Sequence, residues 1–186
     1  MSRFAIHNTP LAGLKVVERK QVGDSRGFLS RLFCADELAA AGWAGPIAQI
    51  NHTLTQKRGT VRGMHFQLPP HAEMKLVSCI KGAVLDVAVD VRAGSPTFLQ
   101  WHAEELSASN RRAMLIPQGF AHGFQSLEDD CELLYLHSAA YAADAEAALN
   151  ALDLRLSISW PLPVAERSAR DARHAMLNHQ FTGVGL

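Results

Sequence analysis

The sequence predicts an all-β protein built as an antiparallel barrel or sandwich. Between Lys15 and Trp160 it reads as short β-type runs, each bounded by Gly, Pro, Asn or Asp. Examples are KLVSCIKG, AVLDVAVDVR, RAMLIPQG and CELLYLHS. Short strands separated by turn residues are typical of antiparallel β proteins. Strands therefore carry the predicted fold.

Helical patterns are few and short. They are ADELAAAGW at 35–43, the Ala-rich AADAEAALNAL at 142–152, and AERSARDARHAM near the C-terminus, which favours a turn or helix. We expect these segments to lie at the periphery of the strands.

The run AVLDVAVDVR does not alternate cleanly between apolar and polar residues. Asp86 and Asp90 interrupt an otherwise β-branched strand. A carboxylate that faces the interior of such a strand needs a partner, because an unpaired buried charge is costly.

Length and composition exclude several classes of protein. A chain of 186 residues fits one domain, 1–186, and contains no repeat or linker-like stretch. With 18 Lys plus Arg against 18 Asp plus Glu, the sequence has no basic stripe for nucleic acid and no polybasic segment for a membrane surface. We therefore expect a small-molecule partner.

Neither a signal peptide nor a membrane span is visible near the N-terminus, so we expect a cytoplasmic protein. Cys34, Cys79 and Cys131 stand singly in apolar surroundings without a CxxC pair. This pattern favours buried free thiols in a reducing compartment over disulfides or zinc ligands.

Two dense segments look like parts of one pocket. GTVRGMHFQLPPHAEMKLV brings Arg62, His65 and Lys75 close together beside two prolines that stiffen the intervening loop. Arginine suits a phosphate and histidine suits proton transfer. IPQGFAHGF places His122 after a Pro/Gly turn, with phenylalanines on either side as apolar walls.

The two segments also resemble the two halves of the cupin signature, whose metal-binding members use an HxH pair, a Glu and a later His. Gln67 stands at the second position of that pair. The remaining set of His65, Glu73 and His122 is a poor transition-metal site. We therefore expect no metal and no cofactor.

The sequence as a whole resembles the dTDP-4-dehydrorhamnose 3,5-epimerase family. The resemblance rests on motifs that follow the family order from about residue 22 to 173: DSRGF, QINHT, RGMHFQ, KLVSCIKG, DVAVDVR, SPTF, IPQGFAHGF, LLY, ISWP and SARD. It implies a cupin jelly-roll β-barrel with a few short peripheral helices. It also implies a homodimer in which N-terminal segments exchange between subunits.

The activity implied by the resemblance is epimerisation at C3, C5 or both of a nucleoside-diphosphate 4-keto-6-deoxyhexose. Such a reaction needs a base, stabilisation of an enolate oxygen and an acid on the opposite face. His65 matches the family's base, Asp171 the acid that orients it, and Tyr135 the opposite-face proton donor. Lys75, with His122, matches groups around the keto oxygen. The residues matched or expected to bind substrate are Arg26, Gln49, Asn51, Arg62, His122, Tyr141 and Arg170.

Each of these side chains also has an ordinary structural interpretation. A lone histidine such as His65 is more often structural than catalytic, and Tyr135 alone is a common strand aromatic. Lys75 alone is a solvated cation, and Asp171 alone caps a helix. Asp86 is equally compatible with a turn and with a functional site, so we leave it out of the catalytic set. Only the joint match favours chemistry.

The sequence departs from the family pattern at Val22, where many members have phenylalanine, and at Arg31, where many have glutamate. Both changes predict that the nucleotide base is held differently, because stacking and charge pairing are specific to the ligand. Further departures are Leu136, Ala139, Ala140, Ala151 and Leu152, which predict a changed pocket rim.

Two rival interpretations remain open at this point. A cupin could bind a nucleotide sugar without turning it over, since one fold serves many functions. A metal-dependent isomerase or dioxygenase is the other rival, and Gln67 disfavours it. The presence of His65, Tyr135 and Asp171 together favours the epimerase.

Overall fold

Most of the strands form two antiparallel sheets. The computed structural model describes residues 2–186. The six-stranded sheet has the order β1 (Phe4–Asn8), β2 (Lys15–Arg19), β10 (Arg112–Ile116), β7 (Lys75–Lys81), β12 (Cys131–His137), β5 (Gln49–Thr55). The five-stranded sheet has the order β13 (Glu146–Ala148), β6 (Val61–Gln67), β11 (Phe120–Ser126), β8 (Ala83–Asp90), β9 (Trp101–Ser107). The predicted all-β jelly roll is confirmed.

A separate hairpin is formed by β3 (Gln21–Asp24) and β4 (Gly27–Ser30). It pairs with neither sheet. Its apolar side chains are open to solvent: Val22 is 47% exposed, Phe28 69% and Leu29 66%. Such a patch of apolar side chains on an isolated hairpin points to an interaction surface.

The main core lies between the two sheets. On β12, Cys131 and Leu133 face this core and Tyr135 packs against it, because alternate residues of a strand share a face. Leu134 and Leu136 point the other way, towards Leu38 and Trp43. Leu136 is therefore a residue of the outer core, not of a pocket rim.

The outer face of the five-stranded sheet is covered as well. Val87 and Val89 of β8 pack there against Leu149, Leu156 and other residues of the C-terminal third. This double coverage explains why β8 does not alternate between apolar and polar residues, since both of its faces are buried.

The helical predictions are only partly confirmed. α1 spans Ala35–Ala39 and α2 spans Ala169–Arg173, with the Ser168 hydroxyl accepting a hydrogen bond from the Asp171 amide. The expected helix at 142–152 is wrong: a 3₁₀ turn, Ala143–Ala145, leads into β13. The free edge of β6 offers unpaired backbone groups there, and pairing with it outweighs the helical propensity of alanine.

Cys34, Cys79 and Cys131 are free thiols. Cys79 and Cys131 are buried in the core between the sheets, whereas Cys34 is only partly buried next to α1. Burial raises the pKa of the Cys79 thiol to about 12. Among residues 2–186, no helix has both the length and the apolar composition needed to cross a bilayer.

Candidate active site

A cavity of about 320 Å³ opens between the two sheets. Most of the residues predicted from the sequence line it: Gln49, Asn51, Arg62, His65, Lys75, His122, Tyr135, Tyr141 and Arg170. They come from five strands, from the loop after β12 and from α2, and the fold brings these distant segments together at one cavity.

Strand alternation explains why these residues share a face. Gln49 and Asn51 are two residues apart on β5, and Tyr135 and His137 are two apart on β12. On β6, however, Arg62 and His65 are three residues apart. The register there shifts by one residue against β11, so a bulge turns Arg62 onto the same side as His65.

His65 is paired with a carboxylate from the far end of the chain. Its Nε2 lies 2.8 Å from Oδ1 of Asp171, and the Gly63 amide donates to Oδ2 of the same carboxylate at 3.3 Å. Asp171 is buried, which by itself would raise its pKa. The hydrogen bond and charge of His65, together with the Gly63 amide, outweigh this effect and hold the pKa of Asp171 below its ordinary value.

The ionised state of Asp171 determines the histidine tautomer. An ionised carboxylate only accepts hydrogen bonds, so Nε2 of His65 must be the donor. The proton of the neutral imidazole then resides on Nε2, and Nδ1 carries the free lone pair. Nδ1 has no hydrogen-bond partner within residues 2–186. Its lone pair is therefore free to accept a proton.

His122 belongs to a second buried pair. Its Nε2 lies 2.7 Å from Oδ1 of Asp86, and both side chains are almost completely buried. Burial raises the pKa of Asp86, against the lowering effect of His122 and Lys75. Asp86, whose role the sequence left open, is thus the partner of His122. Since His65 and His122 face each other across β6 and β11, two His/Asp pairs stand side by side.

Tyr135 extends from the six-stranded sheet, whereas His65 belongs to the five-stranded sheet. Its ring lies edge-on to His122 at a centroid distance of 6.0 Å and stacks beside His137 at 6.1 Å. Burial raises the pKa of the Tyr135 phenol above its ordinary value. The hydroxyl is therefore protonated at neutral pH and can act as an acid.

Lys75 supplies a positive charge at the floor of the cavity. Its Nζ contacts Oε1 of Glu73 at 3.0 Å and donates to the His65 carbonyl at 3.1 Å. An ammonium group has three donors, so one remains for a ligand.

The mouth of the cavity carries exposed polar groups. Arg170 and the Tyr141 hydroxyl both contact Oε2 of Glu146, at 2.9 and 3.0 Å. The Arg62 guanidinium donates to the Leu54 carbonyl at 3.1 Å. Two arginines at the opening suit an anionic ligand such as a diphosphate.

Arg26 does not reach this cavity within the chain. It lies at the tip of the β3–β4 hairpin, where its side chain is 88% exposed and pairs with Asp24 at 2.6 Å. Val22 lies on the same hairpin, and Arg31 follows it and pairs with Glu37. None of the three lines the cavity.

Three ionisable residues of the cavity wall were not predicted from the sequence to act in catalysis or substrate binding: Glu73, His137 and Glu146. Alternation would have indicated two of them, since Glu73 lies two residues before Lys75 and His137 two after Tyr135. Glu146 was hidden by the incorrect helix. Its position depends on the pairing of β13 with β6.

In the part of the chain that the structure describes, no group of three or more His, Cys, Asp or Glu side chains is arranged to hold a metal ion. Gln67, at the position of a cupin ligand, is used differently. Its Nε2 donates to the His71 carbonyl at 2.9 Å, and its Oε1 accepts from the Ala142 amide at 2.6 Å. It fastens the loop after β12 to the loop after β6.

Comparisons with known proteins all give the same family. The family model described as dTDP-4-dehydrorhamnose 3,5-epimerase matches residues 8–179. A dTDP-4-dehydrorhamnose 3,5-epimerase of Sinorhizobium fredii is 41% identical over 155 residues, which are 81% of this chain and 77% of the relative.

Two solved structures are also similar. One is a dTDP-6-deoxy-D-glucose-3,5-epimerase from Legionella pneumophila in complex with dTDP-4-keto-L-rhamnose, with a TM-score of 0.88, 39% identity, and coverage of 93% of this chain and 92% of that one. The other is a 4-keto-6-deoxy sugar epimerase from the novobiocin gene cluster of Streptomyces spheroides, with a TM-score of 0.88, 34% identity, and coverage of 94% and 88%.

Proposed function

The chain belongs to the dTDP-4-dehydrorhamnose 3,5-epimerase family, and we propose that it inverts C3, C5 or both of a dTDP-linked 4-keto-6-deoxyhexose. The observation that carries the proposal is the placement of a base and an acid on opposite sheets. His65 approaches from one sheet and Tyr135 from the other, with the cavity between them.

In the first step, Nδ1 of His65 removes the proton from the carbon beside the ketone. The electrons of the broken C–H bond form the enolate, whose negative charge develops on the keto oxygen. Asp171 stabilises the imidazolium that results, because it accepts the Nε2 hydrogen bond as an anion. The free donor of Lys75 is suited to bind the enolate oxygen.

In the second step, the Tyr135 hydroxyl gives its proton to the same carbon from the opposite face. The C–H bond re-forms with inverted configuration, and the enolate electrons return to the carbon. The imidazolium of His65 and the phenolate of Tyr135 then exchange one proton with solvent, which restores the starting state. The raised pKa of Tyr135 favours rapid recapture of that proton.

A binding protein without turnover would have no need for this arrangement. Recognition of a nucleotide sugar calls for donors and acceptors at the mouth, such as Arg62 and Arg170. It does not call for a carboxylate that fixes the tautomer of a histidine inside the barrel. The His65–Asp171 pair thus supports the catalytic alternative.

Homodimerisation through the β3–β4 hairpin is part of the proposal. The exposed apolar side chains of that hairpin support it, because Phe28 and Leu29 have no cover in the single chain. Insertion of the hairpin into a second copy would bring Arg26 to the mouth of that copy's cavity, as the sequence resemblance implies. We also place the enzyme in the cytoplasm, where its free thiols remain reduced.

Proton exchange in deuterated water tests the function directly. The protein is mixed with dTDP-4-keto-6-deoxyglucose, and the C3 and C5 proton signals are followed separately by NMR. Loss of both signals identifies a 3,5-epimerase, and loss of one a mono-epimerase. No loss above the spontaneous rate would contradict the proposed function. His65→Ala is the matched negative control.

A further inference from the structure

His137 lines the cavity next to Tyr135 and Lys75, the two side chains that handle the enolate in the proposed mechanism. It is two residues from Tyr135 on the same face of β12, and the two rings stack with an interplanar angle of 19°. Across the sheet, its direct Cα partner on β7 is Lys75. Directly opposite residues of neighbouring strands have Cβ atoms about 4.5–5.5 Å apart, so the two side chains can approach one ligand atom.

A chain of hydrogen bonds determines which nitrogen of His137 carries the proton. The Tyr141 backbone amide donates to Oε1 of Gln49 at 2.9 Å, which turns the Gln49 amino group towards Oδ1 of Asn51 at 3.0 Å. The Asn51 amino group therefore faces Nε2 of His137, at 3.5 Å. A backbone amide can only donate, so the orientation of every member follows from it.

Nε2 of His137 is thus the acceptor, and the neutral ring carries its proton on Nδ1. This nitrogen has no hydrogen-bond partner among the residues that the structure describes. Burial and the nearby charge of Lys75 lower the pKa of His137 to about 4, although Glu73 acts in the opposite direction. The remaining titratable neighbour, His122, also lowers it. The ring is therefore neutral at neutral pH.

We propose that His137 is a second oxyanion donor, whose Nδ1–H binds the keto oxygen of the substrate together with the ammonium group of Lys75. This inference rests on the proposed function. Lys75 has one free proton, because the other two are directed to Glu73 and the His65 carbonyl. A developing enolate oxygen is best stabilised by more than one fixed donor in a site that excludes water.

A neutral imidazole suits this role better than a second cation. The Glu73 carboxylate already balances the charge of Lys75, so a protonated His137 would add an uncompensated charge to a buried site. A neutral N–H donor stabilises the oxyanion without that cost. The backbone-anchored chain from Tyr141 keeps the donor oriented before the substrate binds.

The test compares two substitutions at this position. His137→Phe keeps an aromatic ring beside Tyr135 but removes the donor, whereas His137→Gln retains an N–H donor. We expect His137→Phe to lower kcat for C–H exchange about 10- to 100-fold, and His137→Gln to recover part of the loss. The Kd for dTDP, measured by calorimetry, stays at its wild-type value in both variants. His179→Phe, on the exposed C-terminal segment, is the matched control.

Several outcomes overturn the inference. An unchanged kcat in His137→Phe means that the keto oxygen does not use this donor. Equal losses of kcat in the Phe and Gln variants, or a higher Kd for dTDP, mean that His137 has a structural role in the cavity wall and does not take part in the reaction. If wild-type protein binds dTDP but exchanges no proton, the proposed function fails, and the donor role fails with it. The two failures can be told apart. An active wild-type enzyme with an equally active His137→Phe variant contradicts only the donor role of His137, not the proposed function.

Discussion

Asp171 accepts a hydrogen bond of 2.8 Å from His65, a residue 106 positions earlier in the chain. The carboxylate is on the short helix α2, whose N-terminal cap, Ser168, bonds the Asp171 amide. The cap fixes the backbone of Asp171, and the carboxylate in turn fixes the tautomer of His65. In the proposed mechanism, a helix of five residues thus orients the base on a distant strand.

We expect Asp171→Asn to lower the C–H exchange rate about 10²- to 10⁴-fold, because the side-chain amide can stabilise the wrong tautomer and cannot balance an imidazolium. The rate is measured by NMR in deuterated water. Binding of dTDP should not change, since Asp171 lies behind His65 and not among the cavity-lining residues. A variant that exchanges protons at the wild-type rate would remove the carboxylate from the mechanism.

Tyr135→Phe should separate proton exchange from inversion. The base remains, so His65 can still remove a proton and return a deuteron on the same face. The opposite-face donor is lost, and the yield of inverted sugar per exchange event should fall about 10- to 100-fold. Following washout and product configuration in one NMR experiment gives this ratio. A wild-type ratio in the variant would assign the acid to another group.

The role of the hairpin is tested by Phe28→Asp. A charged side chain in place of an aromatic that is 69% exposed costs the single chain little, but it cannot be buried in an interface without a partner. We expect wild-type protein to be a dimer in light scattering and the variant to be a monomer. The variant should also bind dTDP more weakly if Arg26 serves the partner's site. A monomeric wild-type protein would contradict this prediction.

Local pattern was sufficient for the β-rich fold class, and the density of polar residues in two segments pointed to His65, Lys75 and His122 as parts of one pocket. The jelly-roll topology and the role of Tyr135 came from family resemblance. The pairing of His65 with Asp171 came from family resemblance, because no local rule links residues on different elements. Physical reasoning from the residues alone would not have joined them.

The errors have a common physical cause. The segment 142–152 is rich in alanine and predicts a helix, yet the unpaired edge of β6 recruits it as β13. Glu146 reaches the cavity mouth only through this pairing, and Leu136 points away from the pocket only because of the register of β12. In each case the outcome depends on which strands pair and in which register. Pairing involves two segments that are distant in sequence, so the local pattern of one segment does not reveal it.

Removal of divalent metals should leave the exchange rate unchanged. The Gln67 side chain makes three hydrogen bonds with backbone groups, and residues 2–186 hold no cluster of three potential ligands. The expected chemistry uses an imidazole and a phenol instead. Dialysis against a chelator followed by the NMR assay checks this, with a sample resupplied with zinc or manganese as control. A rate that falls on chelation and returns with metal would favour the metal-dependent alternative.

Asp90 should account for part of the acid sensitivity of the fold. It is fully buried, and burial alone would raise its pKa, but bonds from Arg92, Ser95 and Thr97 bring the pKa to about 2. A depressed pKa stabilises the folded state above the unfolded value near 4, and this contribution is lost as pH falls towards 2. Asp90→Asn should therefore destabilise the protein at pH 7 by about 2 kcal/mol or more, and by about 1 kcal/mol less at pH 3.

Urea denaturation of both proteins at the two pH values measures the difference, with the exposed Asp144→Asn as control. A destabilisation that is equal at pH 7 and pH 3 would show that the ionised carboxylate contributes nothing there.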